Sequence, residues 1–253
     1  MHTNNYVGLF KLYSMKKFCF ALIFSLFFGI VYGQEPSDVG HGSASGKKST
    51  RFLNRIGREF GLYIGLNNWT NAPNPFQLQP AGSRFVALSW RYNVTLVRGE
   101  SARLRLGLGP EIAWNNFMLD GDRVFVQGGN STPTTRDPDT VVVDDPRDLR
   151  RSKLVAVQAN LPVVLALKWK SGVSLAMGGY VGTRLDSYTA VKPAGGDKDR
   201  DHGKYNLSPW RWGLTTELGW NETFTLFGRY EPSPLFRSGL GPELNVWVVG
   251  IRL

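Results

Sequence analysis

In "DKDRDHG", residues 197–203, aspartates recur at alternate positions as Asp197, Asp199 and Asp201, with His202 next and Ser208 a little further on. Two chemistries use such groups. Alternating carboxylates can open a calcium loop, but that loop wants Gly at its sixth position and Glu at its twelfth; here these are His202 and Ser208, and Lys198 and Arg200 intervene. A hydroxyl, an imidazole and a carboxylate can form a nucleophilic triad, here Ser208, His202 and Asp201, as a lipid-modifying enzyme would need. Both chemistries require a rigid element to aim the groups, and this stretch reads as a long charged loop. A solvated loop is therefore the default: no catalytic residue, metal ligand or cofactor is assigned. "DPDTVVVDDPRDLRRSK", residues 137–153, mixes signs in the same way. Its Arg147, Arg150, Arg151 and Lys153 could grip lipopolysaccharide phosphates, with a solvated loop again the default.

Charges with a regular spacing lie elsewhere, and their period is two. Arg211 and Glu217 share one side of "WRWGLTTELGW" with Gly213, Thr215 and Gly219, while Trp210, Trp212, Leu214, Thr216, Leu218 and Trp220 take the other. Strict alternation predicts a β-strand with one apolar and one polar face. The same rhythm predicts strands over 59–69, 84–97, 102–114, 153–169, 173–188, 210–220, 223–232 and 243–253. Brief turns "RGES", "KSG" and "NE" alternate with long links at 70–83, 119–152, 189–208 and 233–242. That pattern fits an all-β, eight-stranded antiparallel transmembrane β-barrel with short turns at one end and long loops at the other.

The polar face predicts the inside. An eight-stranded barrel has room only for side chains in its interior, so Trp90, Tyr92, Trp210, Trp212 and Trp220 are too bulky to fill it, and they are expected outside as an aromatic girdle. The polar face is rich in small residues such as Gly61, Gly107, Gly178, Gly182 and Gly213, and its charges have both signs. Buried charges persist only when paired. A lumen network of Glu59, Arg91, Arg103, Arg105, Glu111, Arg184, Asp186, Arg211, Glu217 and Arg229 is therefore expected, with Glu231 and Arg252 on the same face. Trp210 and Trp220 would stand ~33 Å apart along the strand, which a ~40° tilt reduces to ~25 Å, the height of a lipid-facing apolar band.

Ahead of the strands, Lys16 and Lys17, the apolar run from Phe18 to Tyr32, and Val31 and Gly33 predict a secretory signal peptide over residues 1–33, with Met15 as the expected start and Gln34 as the first mature residue. A flexible periplasmic tail over 34–57 and a barrel over 58–253 complete the expected organisation. Cys19, the one cysteine, lies in the presequence, so the mature chain offers no disulfide, thiolate zinc site or cysteine nucleophile. Losing residues 1–33 removes three lysines and no acid, taking the net charge from +10 to +7. Those basic residues are interleaved with acids, which points to anionic lipid or polysaccharide rather than nucleic acid.

"ANLPVVLALKW", "SLAMGGYVGTRLDSY", "SPWRWGLTTELGW", "FTLFGRYEPSPLF" and "VWVVGIRL" are similar to the outer-membrane β-barrel domain family that includes the PorT-like proteins, over roughly residues 58 to 253. The resemblance implies an outer-membrane location in a Gram-negative envelope and, for some members, a link to protein secretion; it carries over no catalytic residues. Leu253 stands where an aromatic commonly ends such barrels. The expectation is a non-enzymatic outer-membrane barrel with a filled lumen. Its long loops, above all 119–152 and 189–208, would bind an envelope protein partner or a surface ligand such as lipopolysaccharide, with an accessory role in secretion implied by the resemblance. The alternatives are a lipid-modifying outer-membrane enzyme and, third, a soluble ligand-binding barrel.

Overall fold

The structure is a computed structural model that describes residues 56–127, 140–220 and 224–253, and every regular element among these is a strand. In chain order they are β1 (Ile56–Thr70), β2 (Arg84–Arg98), β3 (Ala102–Leu108), β4 (Glu111–Met118), β5 (Arg123–Gln127), β6 (Thr140–Asp144), β7 (Leu149–Trp169), β8 (Val173–Pro193), β9 (Asp199–His202), β10 (Trp210–Trp220), β11 (Phe224–Glu231) and β12 (Asn245–Arg252). The expected presequence, start and most of the tail lie outside the described residues. All pairings are antiparallel. They lead from β1 through β2, the β3–β4 segment, β7, β8, β10, β11 and β12 back to β1, where Tyr63 faces Arg252 and Thr70 faces Asn245.

Where the sequence predicts one unbroken strand over 102–114, Gly109 and Pro110 divide β3 from β4. Proline has no N–H for the ladder, and Gly109 lies so close to the Trp90 carbonyl that a Cβ would collide with it. Both halves still pair with β2 and β7, so the wall continues through the break as a single stave.

Strand β10 reads exposed-buried without interruption, Trp210 at 71% and Trp220 at 59% exposure and Arg211 and Glu217 buried. Its apolar face therefore looks outward. Trp90 and Trp212 are likewise exposed, and Tyr92 lies on the same outer side with the Arg58 guanidinium 5.9 Å from its ring centre. Inside, the crowding explains the small residues. A Cβ on Gly107 would stand 2.5 Å from Arg91 Cδ, and one on Gly213 2.6 Å from the Tyr180 hydroxyl.

Strands β7 and β8 have 21 residues each, roughly 70 Å of chain at about 3.3 Å per residue, far more than an apolar band ~25 Å tall requires. They run on past the wall at the long-loop end, where β9 joins β8. The 119–152 and 189–208 links are thus partly regular, the first holding the β5–β6 hairpin and the second the end of β8 and all of β9. At this end the links fold inward. Phe76, Leu78, Phe125, Tyr205, Leu207, Leu235, Phe236 and Leu244 join Trp69, Phe117 and Leu154 in one buried apolar cluster. Trp69 Nε1 donates to the Phe76 carbonyl at 2.8 Å, and Ser208 Oγ to that of Phe236 at 2.9 Å.

Candidate functional site

Below the apolar cluster the interior is ionic. Arg229 reaches from β11 and donates both guanidinium nitrogens to Glu111 at 2.7 Å each, both side chains 2% or less exposed. Asn160 donates to the same carboxylate at 2.9 Å. The Arg229 guanidinium also lies 4.8 to 5.6 Å from the ring centres of Tyr63, Phe85, Tyr180 and Phe227, so aromatic faces surround the cation where the carboxylate does not. One level nearer the short turns, Arg91 donates to both oxygens of Glu217 at 3.0 and 2.8 Å, and the Tyr63 hydroxyl donates to it at 2.8 Å. Arg252 bridges Glu217 and Glu59, and Asn93 donates to Glu59 at 2.6 Å. Arg211 pairs with Glu231, to which the Tyr180 hydroxyl donates at 2.9 Å. Bidentate, charge-assisted pairs of this kind satisfy buried charges and fix the strands that carry them.

Seven of the ten predicted lumen residues thus face this interior: Arg91, Glu111, Arg211, Glu217 and Arg229 are buried in pairs, Glu59 is half-buried in the Arg252 bridge, and Arg105 is half-buried and without a carboxylate partner among the described residues. The other three do not join it. Arg103 is exposed at the short-turn rim, one step from the end of its hairpin. Arg184 and Asp186 flank an extra residue on β8: Val157 faces Asp186 and Gln158 faces Arg184, leaving Leu185 unopposed. Such a bulge exchanges the two faces of the strand beyond it, so Asp186 turns to the outer side with Val157, whereas Arg184 keeps the inner side with Gln158. Arg184 instead donates to the carbonyls of Lys204 and Leu207, and Asp186 sits exposed beside His202 Nδ1 at 3.4 Å. Tyr63, Tyr180, Asn93 and Asn160 belong to the network without having been assigned to it. Their signal was their side: Tyr63 alternates with Glu59, Tyr180 with Arg184 and Asn93 with Arg91.

The triad groups each have other partners. Ser208 donates to the Phe236 carbonyl, Asp201 accepts from Tyr205 at 3.1 Å, and His202 rests against Asp186 and the Tyr188 ring. Among the described residues no three His, Cys, Asp or Glu side chains converge as for a metal ion.

On the outer surface at the long-loop end, the register brings cations from four strands together. Arg84 of β2 faces Asn116 of β4, whose side chain accepts from Lys153 of β7 at 3.3 Å; Lys153 faces Ala190 of β8, and Ala190 faces Arg200 of β9. Arg151 and Lys192 pair one step beyond. Slight burial, together with neighbouring Arg200, Arg151 and Lys192, holds the Lys198 ammonium below its ordinary range.

Antiparallel strands with apolar side chains outward and paired charges inward define a wall built for lipid. The chain belongs to the outer membrane protein beta-barrel domain family, whose pattern it matches over residues 43–236, and its place is the outer membrane. Among solved structures it is similar to Ail, the attachment invasion locus protein of Yersinia pestis, with 12% identity over 78% of this chain and 97% of that one and a TM-score of 0.35. It also matches a mutant of the Rh. blastica porin, with 12% identity, 78% and 99% coverage and a TM-score of 0.20. No curated protein matches the chain.

Proposed function

We propose that this protein, delivered by a cleaved signal peptide, is a closed eight-staved transmembrane barrel without enzymatic activity, and that its long-loop end binds the phosphates of lipopolysaccharide. The observation that supports this reading is the outward row of Arg84, Lys153 and Arg200, backed by Arg151, Lys192 and Lys198. It lies just beyond the lipid-facing leucines and valines of the same strands, the level at which headgroup phosphates meet a barrel, and long cations near an anionic surface contribute about 1 kcal/mol each. The triple substitution Lys153→Gln, Lys192→Gln and Arg200→Gln should strip co-purifying lipopolysaccharide from the folded barrel, read by native mass spectrometry. Unchanged retention would sink the reading.

The same loops supply the surface for an envelope protein partner, and the resemblance to PorT-like proteins makes that partner part of protein secretion. Deleting residues 192–204, which removes β9, tests both: a secretion defect with unchanged lipid A supports the partner-binding barrel, whereas an altered acyl pattern supports a lipid-modifying enzyme.

A further inference from the structure

The interior is not filled to its short-turn end. Beneath the Arg91–Glu217 pair lies a cavity of about 580 Å³, inside the ~300–1,000 Å³ range of small-ligand sites. The sequence makes the space: at this level β7, β8 and β10 point Ala166, Ser174, Ala176 and Gly219 inward, and these four are register neighbours. One wall therefore carries almost no side-chain volume. The adjoining staves carry long cations from the β2–β3 hairpin, Arg98 and Arg105, the latter opposite Ala166 in the register, with Lys168 two residues along β7.

Charge at this cavity is out of balance. Among the described residues, Arg91, Arg98, Arg105, Lys168 and Arg252 line it with two acidic side chains, Glu59 and Glu217. Both carboxylates are already engaged, Glu217 by Arg91 and Arg252 and Glu59 by Arg252 and Asn93. Among the described residues Arg98 and Arg105 have no carboxylate in range, and Arg105 Nε is buried without an acceptor. A guanidinium nitrogen withdrawn from water and left unbonded is costly, and its planar fork matches the oxygens of a phosphoryl group. Low-dielectric walls bearing one sign of charge concentrate the field inside the cavity. The mid-lumen arginines also leave an Nε unbonded, but among the described residues each of those guanidinium groups faces a carboxylate, which Arg105 lacks.

We infer that this vestibule is a binding site for a phosphoryl-bearing anion entering from the short-turn end, the periplasmic side of such barrels, with Arg105 and Arg98 as its principal contacts. The site is independent of the loop-end row and is tested apart from it.

Full-length barrel in an uncharged, phosphate-free maltoside detergent is titrated with inorganic pyrophosphate by calorimetry. One saturable site is expected, with affinity falling about tenfold or more in Arg105→Gln and in Arg98→Gln, the scale of one charge-assisted hydrogen bond. Ser174→Phe keeps every cation and fills the space, so it should abolish binding by volume alone, which also covers the case in which an arginine variant fails to fold. A second arm uses nanodiscs of phosphatidylcholine with or without phosphatidylglycerol. If phosphatidylglycerol suppresses pyrophosphate binding, the anion is a lipid headgroup; if it does not, the ligand is a soluble phosphate. Absence of saturable binding in both arms, or binding that survives all three substitutions, overturns the inference.

Discussion

Strands β4 and β7 change their allegiance along their length. Near the short turns β7 points Leu161, Val163 and Leu165 outward and Gln158 and Asn160 inward; towards the loops it points Arg151 and Lys153 outward and Leu154 inward. Strand β4 makes the same exchange, with buried Glu111 at one end of its inner face and buried Phe117 at the other. The lower half is oily outside and ionic within, whereas the upper half has a greasy centre and a wet surface like any water-soluble domain. The β4–β7 ladder runs on without a register shift through the change, so it is the surroundings of these strands that differ between the halves. The level of the exchange therefore marks where lipid ends, and substitutions on either side of it should obey opposite rules.

The largest expected effect is in the ionic half. Glu217→Ala removes the partner of Arg91 and should lower unfolding stability in lipid vesicles by about 4 kcal/mol, the cost of an orphaned buried charge; a change within error would mean that water reaches the pair. On the outer face of the same half, Val163→Arg should cost about 3 kcal/mol. The upper half predicts a different response. Leu154→Ala should cost about 2 kcal/mol by leaving a cavity in an apolar core, measured by the same urea unfolding. The smallest effect is local. Arg147 bonds the Asp145 carboxylate through its guanidinium and its backbone N–H, holding that group's pKa down to about 2. Because the folded value is depressed, this contribution is present above the ordinary carboxylate range and is lost as the pH falls through about 2. In Arg147→Ala the guanidinium is lost and the backbone N–H stays, so the Asp145 carboxyl resonance should titrate at a higher pH than in the parent while remaining below its ordinary value, as followed by NMR.

Legibility in the sequence followed the same division. In the lower half one residue type per face repeats every second position, so β10 and the Arg–Glu interior could be read from period alone. Parity fails where a residue is added, and nothing in "VGTRLDSY" announces that Leu185 stands unopposed; Asp186 was misplaced for that reason, whereas Arg184 keeps the inner side and is held by the carbonyls of the 189–208 link. The upper core was opaque for a different cause. Phe76 and the Leu235–Phe236 pair are isolated apolar residues in Pro- and Gly-rich links, with no period to connect them, and only the inward folding of those links brings them together. The β5–β6 hairpin lay hidden among Asp and Pro, and the short-turn cavity comes from four small residues on three strands, which no single segment displays.

The seam between β1 and β12 sets a schedule for assembly. Leu62 and Leu253 exchange backbone hydrogen bonds at 3.0 and 2.9 Å across it, so β1 waits for β12, and the other described staves are made in between. Contacts so distant along the chain are slow to form, since the entropy of closing the intervening loop comes before any reward. Throughout that wait β1 carries a bare edge, able to accept a strand from any neighbour. The order of synthesis thus leaves that edge the last part of the wall to be covered.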